Sequence, residues 1–263
     1  MCTVVFLRRP DHDWPLIVGA NRDELLERPA VPMTVLRESN PRILGGRDEL
    51  AGGTWLAVNE FGVVAGLTNR PTGGQRDPTK RSRGELPLAL AGHRSAAAAV
   101  EAFASDFHPS DFNPSWLLVG DRESAFGIDM TGDGPPVVTP MAAGVHVLEN
   151  RPADTPSPKV DHVRGLVANV DGLDPDALIE RVAMALRDHQ VPAAYVDGSD
   201  NDLGEIPPQV KAACVHAERY GTRWSGLVMV PGVGDSRPVL RYADGAPCET
   251  PYTDASSLWC SPS

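Results

Sequence analysis

The chain has 263 residues, of which 41% are hydrophobic and 22% are charged, and its formal net charge is −11 at pH 7. This composition excludes wholesale disorder, and a chain of this length can bury a large core without disulfides or metals. Nucleic-acid binding requires many cations to neutralise phosphates, whereas the densest cationic stretch holds only Lys80, Arg81 and Arg83. We therefore expect no nucleic-acid partner.

The start of the sequence carries one short apolar run over residues 3–7. This run lacks the basic region before it and the small-residue cleavage site after it that an export signal has. No apolar run in the sequence approaches the ~20 residues of a membrane helix. We therefore predict a first β-strand, no membrane span and a cytoplasmic location.

Short apolar runs joined by turns predict antiparallel hairpins in the first half of the chain. Residues 3–7 and 16–20 flank a turn-like Asp-His-Asp-Trp-Pro segment and predict a first hairpin. Residues 52–59 and 63–69 predict a second hairpin, whose turn carries Asn and Gly. The stretch 70–83 is rich in Gly, Pro and charge, which is typical of an exposed loop.

Helical segments and further strands follow. Residues 86–104 are rich in Ala and Leu, which favour a helix, and Ser95 is a suitable N-cap within that segment. Residues 174–189 begin with acidic residues that suit the positive end of a helix. Strands are predicted over residues 116–119, 124–129, 137–139, 145–148, 222–230 and 238–242.

The order of these elements predicts the fold class. Strands and helices come in blocks and do not alternate one by one, which argues against a Rossmann-type parallel sheet. Two antiparallel sheets flanked by helices fit the order better, so we predict an α+β fold. We treat residues 1–263 as a single domain with an irregular tail from about residue 244.

The spacing of the cysteines and histidines predicts neither a metal site nor a disulfide scaffold. Cys2, Cys214, Cys248 and Cys260 are far apart and form no CxxC pair. Cys214 is interpreted as a small buried hydrophobic residue. The seven His residues form no HxxxH or HExxH pattern, so we expect no metal and no resident cofactor.

Cys2 can supply a nucleophile and a base from one residue. Initiator Met is commonly removed before a small residue, and its removal would free the α-amine of Cys2 beside the thiol. An α-amine has an ordinary pKa of about 7.7–8.0 and a thiol one of about 8.5, so the amine can accept the thiol proton near neutral pH. The alternative is that position 2 varies freely and that its cysteine has no role.

The segment 19–24, Gly-Ala-Asn-Arg-Asp-Glu, follows the second predicted strand. The first hairpin would bring this segment next to Cys2, where a carboxylate could orient the α-ammonium. The alternative is a charged strand end in which Arg22 forms a salt bridge with Glu24 or Glu27.

Several short motifs together resemble the NRDE family, also called the transport and Golgi organisation protein 2 family. They are Met-Cys-Thr at the start, Asn-Arg-Asp-Glu over 21–24, Gly-Gly-Thr-Trp-Leu-Ala-Val-Asn over 52–59, Gly-Leu-Thr-Asn-Arg over 66–70, Leu-Glu-Asn over 148–150 and Tyr-Gly-Thr-Arg over 220–223. Their order matches, and the resemblance extends to about Val230. The family is similar to N-terminal-nucleophile cysteine hydrolases such as choloylglycine hydrolase and penicillin V acylase, which implies a four-layer αββα sandwich of two antiparallel sheets.

The resemblance implies roles for residues near the start of the chain. Cys2 takes the position of the nucleophile, and Asp23 matches the aspartate beside the α-amine. The catalytic arginine of the hydrolases falls on Ala20 in this sequence, which is a departure from their pattern. Arg22 lies two residues further on and would face the same side of a strand, so it is the candidate that compensates.

The resemblance also implies roles for later residues. Asn150 takes the oxyanion-hole position, where an amide can contribute roughly 3–4 kcal/mol of transition-state stabilisation. The hydrolases have an Ala-Gly-Leu-Asn segment that matches residues 65–68, Ala-Gly-Leu-Thr, so Asn69 lies one residue beyond the position of their asparagine. Arg223 is the candidate for their late arginine, with Arg219 as the spare. Trp55 is interpreted as a core residue in preference to a ligand wall.

Three functions remain open from the sequence. The first is an amidohydrolase that acts on a C–N amide bond of a small acylated substrate. The second is a non-catalytic carrier of haem or of acyl and lipid ligands, to which the family has been linked, with Cys2 or a His as an axial haem ligand. The third is a housekeeping protein in which Cys2 lies near Asp23 without consequence.

Overall fold

The computed structural model describes residues 2–71, 76–196, 207–232 and 236–260. Its strands are β1 (Thr3–Arg8), β2 (Leu16–Leu25), β3 (Ala30–Arg37), β4 (Ile43–Asp48), β5 (Leu56–Asn59), β6 (Val64–Asn69), β7 (Ser115–Gly120), β8 (Ala125–Asp129), β9 (Val137–Pro140), β10 (Gly144–Leu148), β11 (Tyr220–Val230), β12 (Val239–Ala243) and β13 (Thr253–Asp254). Its α-helices are α1 (Glu85–Leu90), α2 (Ala96–Asp106), α3 (Pro158–Leu166), α4 (Pro175–Arg187) and α5 (Ala193–Val196).

The strands form two sheets in which neighbouring strands are antiparallel. The first sheet has the order β10-β1-β2-β11-β12-β13, and the second has the order β3-β4-β5-β6-β7-β8-β9. The first strand of the chain therefore lies inside the six-stranded sheet, between β10 and β2. This placement surrounds the start of the chain with residues from both halves of the sequence.

The two sheets pack face to face around a shared apolar core. Side chains alternate along a strand, so Val4 and Phe6 of β1 join the core between the sheets, whereas Val5 and Leu7 face the opposite side. The second sheet contributes residues such as Leu118 to the same central core. The core is therefore built from alternate residues of strands in both sheets, as in a β-sandwich.

Helices cover the outer face of each sheet. Helices α3 and α4 pack on the six-stranded sheet, and α1 and α2 pack on the seven-stranded sheet. Gly19 permits the close approach of α4 to β2, because a Cβ at this position would lie 2.4 Å from Cγ1 of Val182. The result is the four-layer αββα sandwich that the resemblance implied, and the α+β prediction is confirmed.

The predicted hairpins are confirmed, and two helical predictions are refined. Residues 86–104 form two helices, since the segment Ala-Gly-His-Arg over 91–94 interrupts the helix and the Ser95 side chain caps α2 through the amide of Ala98. Asp174 caps α4 in the same way. Three further elements are not predicted from the sequence. Helix α3 is short and polar, β3 contains a Pro, and β4 contains two Gly residues.

The tail beyond residue 244 has little regular secondary structure, but it packs against the body of the protein. Strand β13 pairs with β12, and the Trp259 indole is buried, with Nε1 donating a hydrogen bond to the Pro238 carbonyl at 2.8 Å. Part of the predicted loop 70–83, residues 72–75, lies outside the described residues. In the described ranges, no helix is both long enough and apolar enough to cross a bilayer.

Asn59 joins three parts of the second sheet and its helices. Its buried Nδ2 donates to the carbonyls of Ala91 and His93 at 2.8 and 2.6 Å, which fixes the link between α1 and α2. Its Oδ1 accepts from the amides of Phe61 and Val63 at 2.9 and 3.0 Å, which fixes the β5–β6 turn. The side-chain amide is therefore hydrogen-bonded through both of its ends.

We predict that Asn59→Asp destabilises the fold by about 3 kcal/mol, because a buried carboxylate would face two carbonyl oxygens where the amide donated. The measurement is the free energy of unfolding in urea. The exposed Asn169 has a left-handed backbone that Asp also tolerates, so Asn169→Asp should change this free energy by less than about 0.5 kcal/mol. Equal stability of the two variants would contradict the role given to Asn59.

Candidate functional site

Cys2 immediately precedes β1 and lies beside the Asn-Arg-Asp-Glu segment of β2. The register pairs Thr3 with Asn21 and Val4 with Ala20, so Cys2 is placed across from the next residues of β2. The Cys2 Sγ lies 4.0 Å from the Asp23 backbone carbonyl. The hairpin predicted from the sequence therefore delivers the thiol to the Asp23 segment.

A cleft opens beside Cys2 between the two sheets. It has a volume of about 270 Å³, and an adjoining cavity of about 220 Å³ shares Cys2 and Asp23 with it. Asn150 lines the adjoining cavity, so one connected region holds the predicted nucleophile, the predicted carboxylate and the predicted oxyanion-hole residue. The main cleft is lined by Cys2, Arg22, Asp23, Glu24, Arg28, Asp48, Ala51, Gly52, Thr54, Trp55, Leu67, Asn69, Arg76, Ser82, Arg83 and Gly84.

Asp23 is buried and only half satisfied by hydrogen bonds. Its Oδ1 accepts a hydrogen bond from the Thr222 hydroxyl at 2.6 Å, whereas its buried Oδ2 has no hydrogen-bond partner among the described residues. The Thr222 hydroxyl also accepts from the Val215 amide at 2.9 Å, and the Tyr220 hydroxyl donates to the Asp23 carbonyl at 2.8 Å. Burial raises the pKa of the Asp23 carboxyl above its usual range. Among the described residues, one oxygen of Asp23 therefore remains available to accept from a further donor.

The Cys2 thiol is held in its protonated form by its surroundings. Burial raises the pKa of the Cys2 thiol, and the Asp23 carboxylate adds to the rise, while the neighbouring Arg22 lowers it in part. A half-buried thiol with a raised pKa needs a base to become a nucleophile.

Asn150 follows β10 and is held between the two sheets. Its Nδ2 donates a short hydrogen bond to the Asn69 carbonyl, and its buried Oδ1 has no partner among the described residues. The Thr68 hydroxyl donates to the Glu149 carbonyl at 2.6 Å, so β6 of the second sheet anchors the segment that carries Asn150. Asn69 itself lines both cavities, although its sequence position is one residue beyond the expected one.

Arg22 and Ala20 lie on the same face of β2, as expected from their spacing. Ala20 is part of the core between the sheets, and Arg22 reaches the cleft. The Arg22 guanidinium is engaged, because it forms an ion pair with Asp48 at 3.1 Å and lies over the Trp55 ring at 4.5 Å from the ring centroid. Trp55 is buried and also lines the cleft, so it serves both the core and the cleft wall.

The structure does not bring Arg223 into the cleft. A bulge in the pairing of β11 with β2 falls between Thr222 and Trp224, and it turns the Arg223 side chain outward, where Nη1 contacts the Leu25 carbonyl at 3.5 Å. Arg219, the spare candidate, is exposed beside Glu27. The late arginine expected from the resemblance therefore has no counterpart at these two positions.

Arg83 lines the cleft, although the sequence motifs did not predict it as a site residue. Gly53 has a left-handed backbone, and a Cβ there would lie 2.4 Å from the Gly84 carbonyl carbon, so the two glycines let their segments pack closely. Arg83 is delivered to the cleft by this contact. Burial and the nearby Arg76 lower the pKa of Arg83 to about 10. The signal in the sequence is the cationic stretch that contains Arg83.

Two stacked antiparallel sheets with outer helices form the four-layer αββα fold of the N-terminal-nucleophile hydrolases. Solved structures share this fold. The N-acylethanolamine-hydrolyzing acid amidase ortholog of Caenorhabditis elegans is 16% identical with a TM-score of 0.54, over 89% of this chain and 95% of that one. A variant of the conjugated bile acid hydrolase from Clostridium perfringens is 14% identical with a TM-score of 0.52, over 99% and 95%.

The chain belongs to the Transport and Golgi organisation 2 family, whose family model matches residues 1–239. Curated relatives cover most of its length. The Transport and Golgi organization 2 homolog of Mus musculus is 27% identical over 258 residues, which is 89% of this chain and 90% of the relative. The homolog of Homo sapiens is 28% identical over 258 residues, with the same shares. The family expected from the motifs is thereby confirmed.

We predict that Cys2 in folded protein that retains Met1 is alkylated by iodoacetamide with a midpoint above the ordinary thiol pKa of about 8.5, because burial raises the pKa of this thiol. The measurement is the alkylation rate of the Cys2 peptide by mass spectrometry across a pH series. The same peptide in urea-unfolded protein serves as the control and should return to the ordinary midpoint. Coincident folded and unfolded profiles would contradict the effect of burial.

Proposed function

We propose that this chain is an N-terminal cysteine amidohydrolase that cleaves a C–N amide bond of a small acylated substrate. The observation that carries the proposal is the shared cavity region of Cys2, Asp23 and Asn150. A nucleophile, a buried carboxylate and an amide donor are the groups that acyl transfer needs, and they come from three separate parts of the chain.

Removal of Met1 would start the chemistry by placing the α-amine on Cys2. The Oδ2 of Asp23, which has no partner among the described residues, is the acceptor suited to this amine, because a buried carboxylate oxygen without a donor is costly and an ammonium satisfies it. The amine accepts the thiol proton, and the sulfur forms a bond with the substrate carbonyl carbon. The C–N bond then breaks, the leaving amine takes the proton, and water hydrolyses the thioester to release the acid.

Asn150 would stabilise the oxyanion that forms on the carbonyl oxygen. Its Nδ2 carries two hydrogens, and the Asn69 carbonyl engages one of them. The second hydrogen is available for the oxyanion, and a single donor of this kind contributes about 3 kcal/mol in comparable sites. Arg22 lines the cleft, and its positive charge would stabilise negative charge that develops on the substrate. Asp48 holds the guanidinium in place.

The cations at the cleft favour a substrate that carries an anionic group. Arg28 and Arg22 share the carboxylate of Asp48, whereas Arg83 forms no ion pair with a carboxylate in the described part of the chain. Arg76 lines the same cleft and adds a second positive charge near Arg83. A carboxylate or phosphate on the substrate would meet these two guanidiniums, which are suited to planar, bidentate recognition.

The proposal predicts a covalent adduct on Cys2. Protein shown by intact mass to lack Met1 is incubated with a β-lactam probe, and we expect one adduct that maps to Cys2 in the digest. Cys2→Ala should form none, and Cys260→Ala, which removes an exposed cysteine far along the chain, should react like the wild type. Asn150→Ala should slow the adduct by about 100-fold. No adduct in protein that lacks Met1 would overturn the proposal.

A carrier of haem or of acyl and lipid ligands is the second candidate. The observation that favours it is Ala20, which lies in the core where the related hydrolases have an arginine, together with the engagement of Arg22 by Asp48. The cleft volume of about 270 Å³ favours a hydrolase of small substrates, because it lies slightly below the range of roughly 300–1,000 Å³ that is typical of ligand pockets.

A haem titration separates the two candidates. If the chain is a hydrolase, we expect no Cys2-dependent shift in haem absorbance at micromolar protein. A carrier that uses this cleft predicts a shift that Cys2→Ala abolishes, because no His lines the cleft within the described residues and Cys2 is the thiolate ligand available there. A shift of this kind without any β-lactam adduct would favour the carrier.

A further inference from the structure

Four side chains with metal-binding atoms converge away from the cleft. They are His189, Cys214, His216 and Cys248, and their ligand atoms all lie within 4.8 Å of one another. The two sulfurs are 3.7 Å apart, and the His216 Nε2 lies 3.2 Å from the Cys248 sulfur and 4.0 Å from the Cys214 sulfur. All four cysteines of the chain are free thiols, so no disulfide explains this contact.

The sulfur–sulfur and sulfur–nitrogen separations are close to those of a tetrahedral zinc site. Zinc binds thiolate sulfur at about 2.3 Å and imidazole nitrogen at about 2.0–2.1 Å. Tetrahedral angles then place two sulfurs about 3.8 Å apart and a sulfur and a nitrogen about 3.5 Å apart. The observed sulfur–sulfur distance matches the first value, and the two sulfur–nitrogen distances lie on either side of the second.

The orientation of His189 also suits a ligand. Its Nδ1 lies 3.1 Å from the Cys214 carbonyl, so this nitrogen donates its hydrogen to the backbone. Nε2 is then the unprotonated nitrogen, which is the form that binds a metal. A hydrogen bond from the second ring nitrogen to a carbonyl is the usual way in which proteins orient a histidine ligand.

The four residues come from three segments that local hydrogen bonds hold together. His189 lies just beyond α4, Cys214 and His216 precede β11, and Cys248 lies in the tail after β12. The Cys214 amide donates to the Asp188 carbonyl at 2.8 Å, which ties the first two segments together. The turn around Cys248 is closed by the Thr250 amide, which donates to the Ala246 carbonyl at 2.9 Å.

We propose that His189, Cys214, His216 and Cys248 form a structural zinc site. A donor set of two thiolates and two imidazoles is typical of structural zinc, and the two thiolates balance the charge of the ion. All four coordination positions are filled by side chains, so no open position remains for catalysis. Because Cys214 is buried while the other three residues are exposed, a metal can enter from the surface.

The site would fasten the tail to the segment that supports Asp23. The backbone amide of Val215, between the two central ligands, donates to the Thr222 hydroxyl, which in turn donates to Asp23. Zinc at Cys214 and His216 would therefore restrain the segment behind the carboxylate without touching the cleft.

The test is metal content and cobalt spectroscopy of the full chain. Protein purified under reducing conditions with zinc present should contain one zinc per chain by elemental analysis after exhaustive desalting. Cobalt substituted for zinc should give the intense visible bands of tetrahedral coordination and a thiolate charge-transfer band. Cys248→Ser should lower that charge-transfer band by roughly half, because one of two thiolates is lost, and should weaken zinc binding by more than about 100-fold.

Matched variants make the outcome decisive. Cys260→Ser removes an exposed cysteine outside the cluster and should leave metal content and spectra unchanged. His216→Ala should lose zinc like Cys248→Ser, and circular dichroism verifies that each variant is folded. Wild-type protein that takes up no zinc or cobalt, equal zinc content in wild type and in Cys248→Ser, or a Cys214–Cys248 disulfide formed in place of metal would overturn the proposal. The β-lactam adduct on Cys2 is measured separately, so failure of the zinc proposal can be told apart from failure of the hydrolase proposal.

Discussion

The pairing of β1 with β2, and of β2 with β11, is the constraint on which the site depends. Antiparallel register fixes which residues face one another, and a slip of one residue would move every side chain to the other face of the sheet. The observed register places Cys2 beside Asp23 from β2, and it brings Thr222 from β11 to the Asp23 carboxylate. The raised pKa values of the Cys2 thiol and the Asp23 carboxyl follow from that register together with burial. The second sheet completes the site by anchoring Asn150 through Asn69.

Features encoded locally could be predicted from the sequence. The first hairpin follows from two apolar runs and a turn, and it suffices to put Cys2 near Asp23. The family motifs led to the αββα sandwich and to Asn150, which lies in the same cavity region as Cys2. Helix α2 could be read from its Ser95 cap because capping is a short-range interaction. In each case, either few residues separate the interacting groups or a known motif contains them.

Features that depend on irregular or distant contacts could not be predicted. The bulge next to Thr222 breaks the alternation of β11, so spacing alone could not indicate that Arg223 points outward. Arg83 enters the cleft because the segment before α1 packs on Gly53, a contact between two loops without periodicity. The proposed zinc cluster has no CxxC or HxxxH motif, because His189 and Cys248 reach Cys214 only through the tertiary fold.

The partner strand β10 is synthesised long after β1 itself. Val4 pairs with Leu148, so the strand that covers the outer edge of β1 is made 144 residues later. At about 5–20 residues per second, translation takes roughly 7–30 seconds to supply that partner. The beginning of the chain therefore leaves the ribosome well before the sandwich can enclose it. A processing enzyme that trims residue 1 has its best access during this interval, and slow trimming would leave a population of folded chains in which the amine of Cys2 is permanently capped.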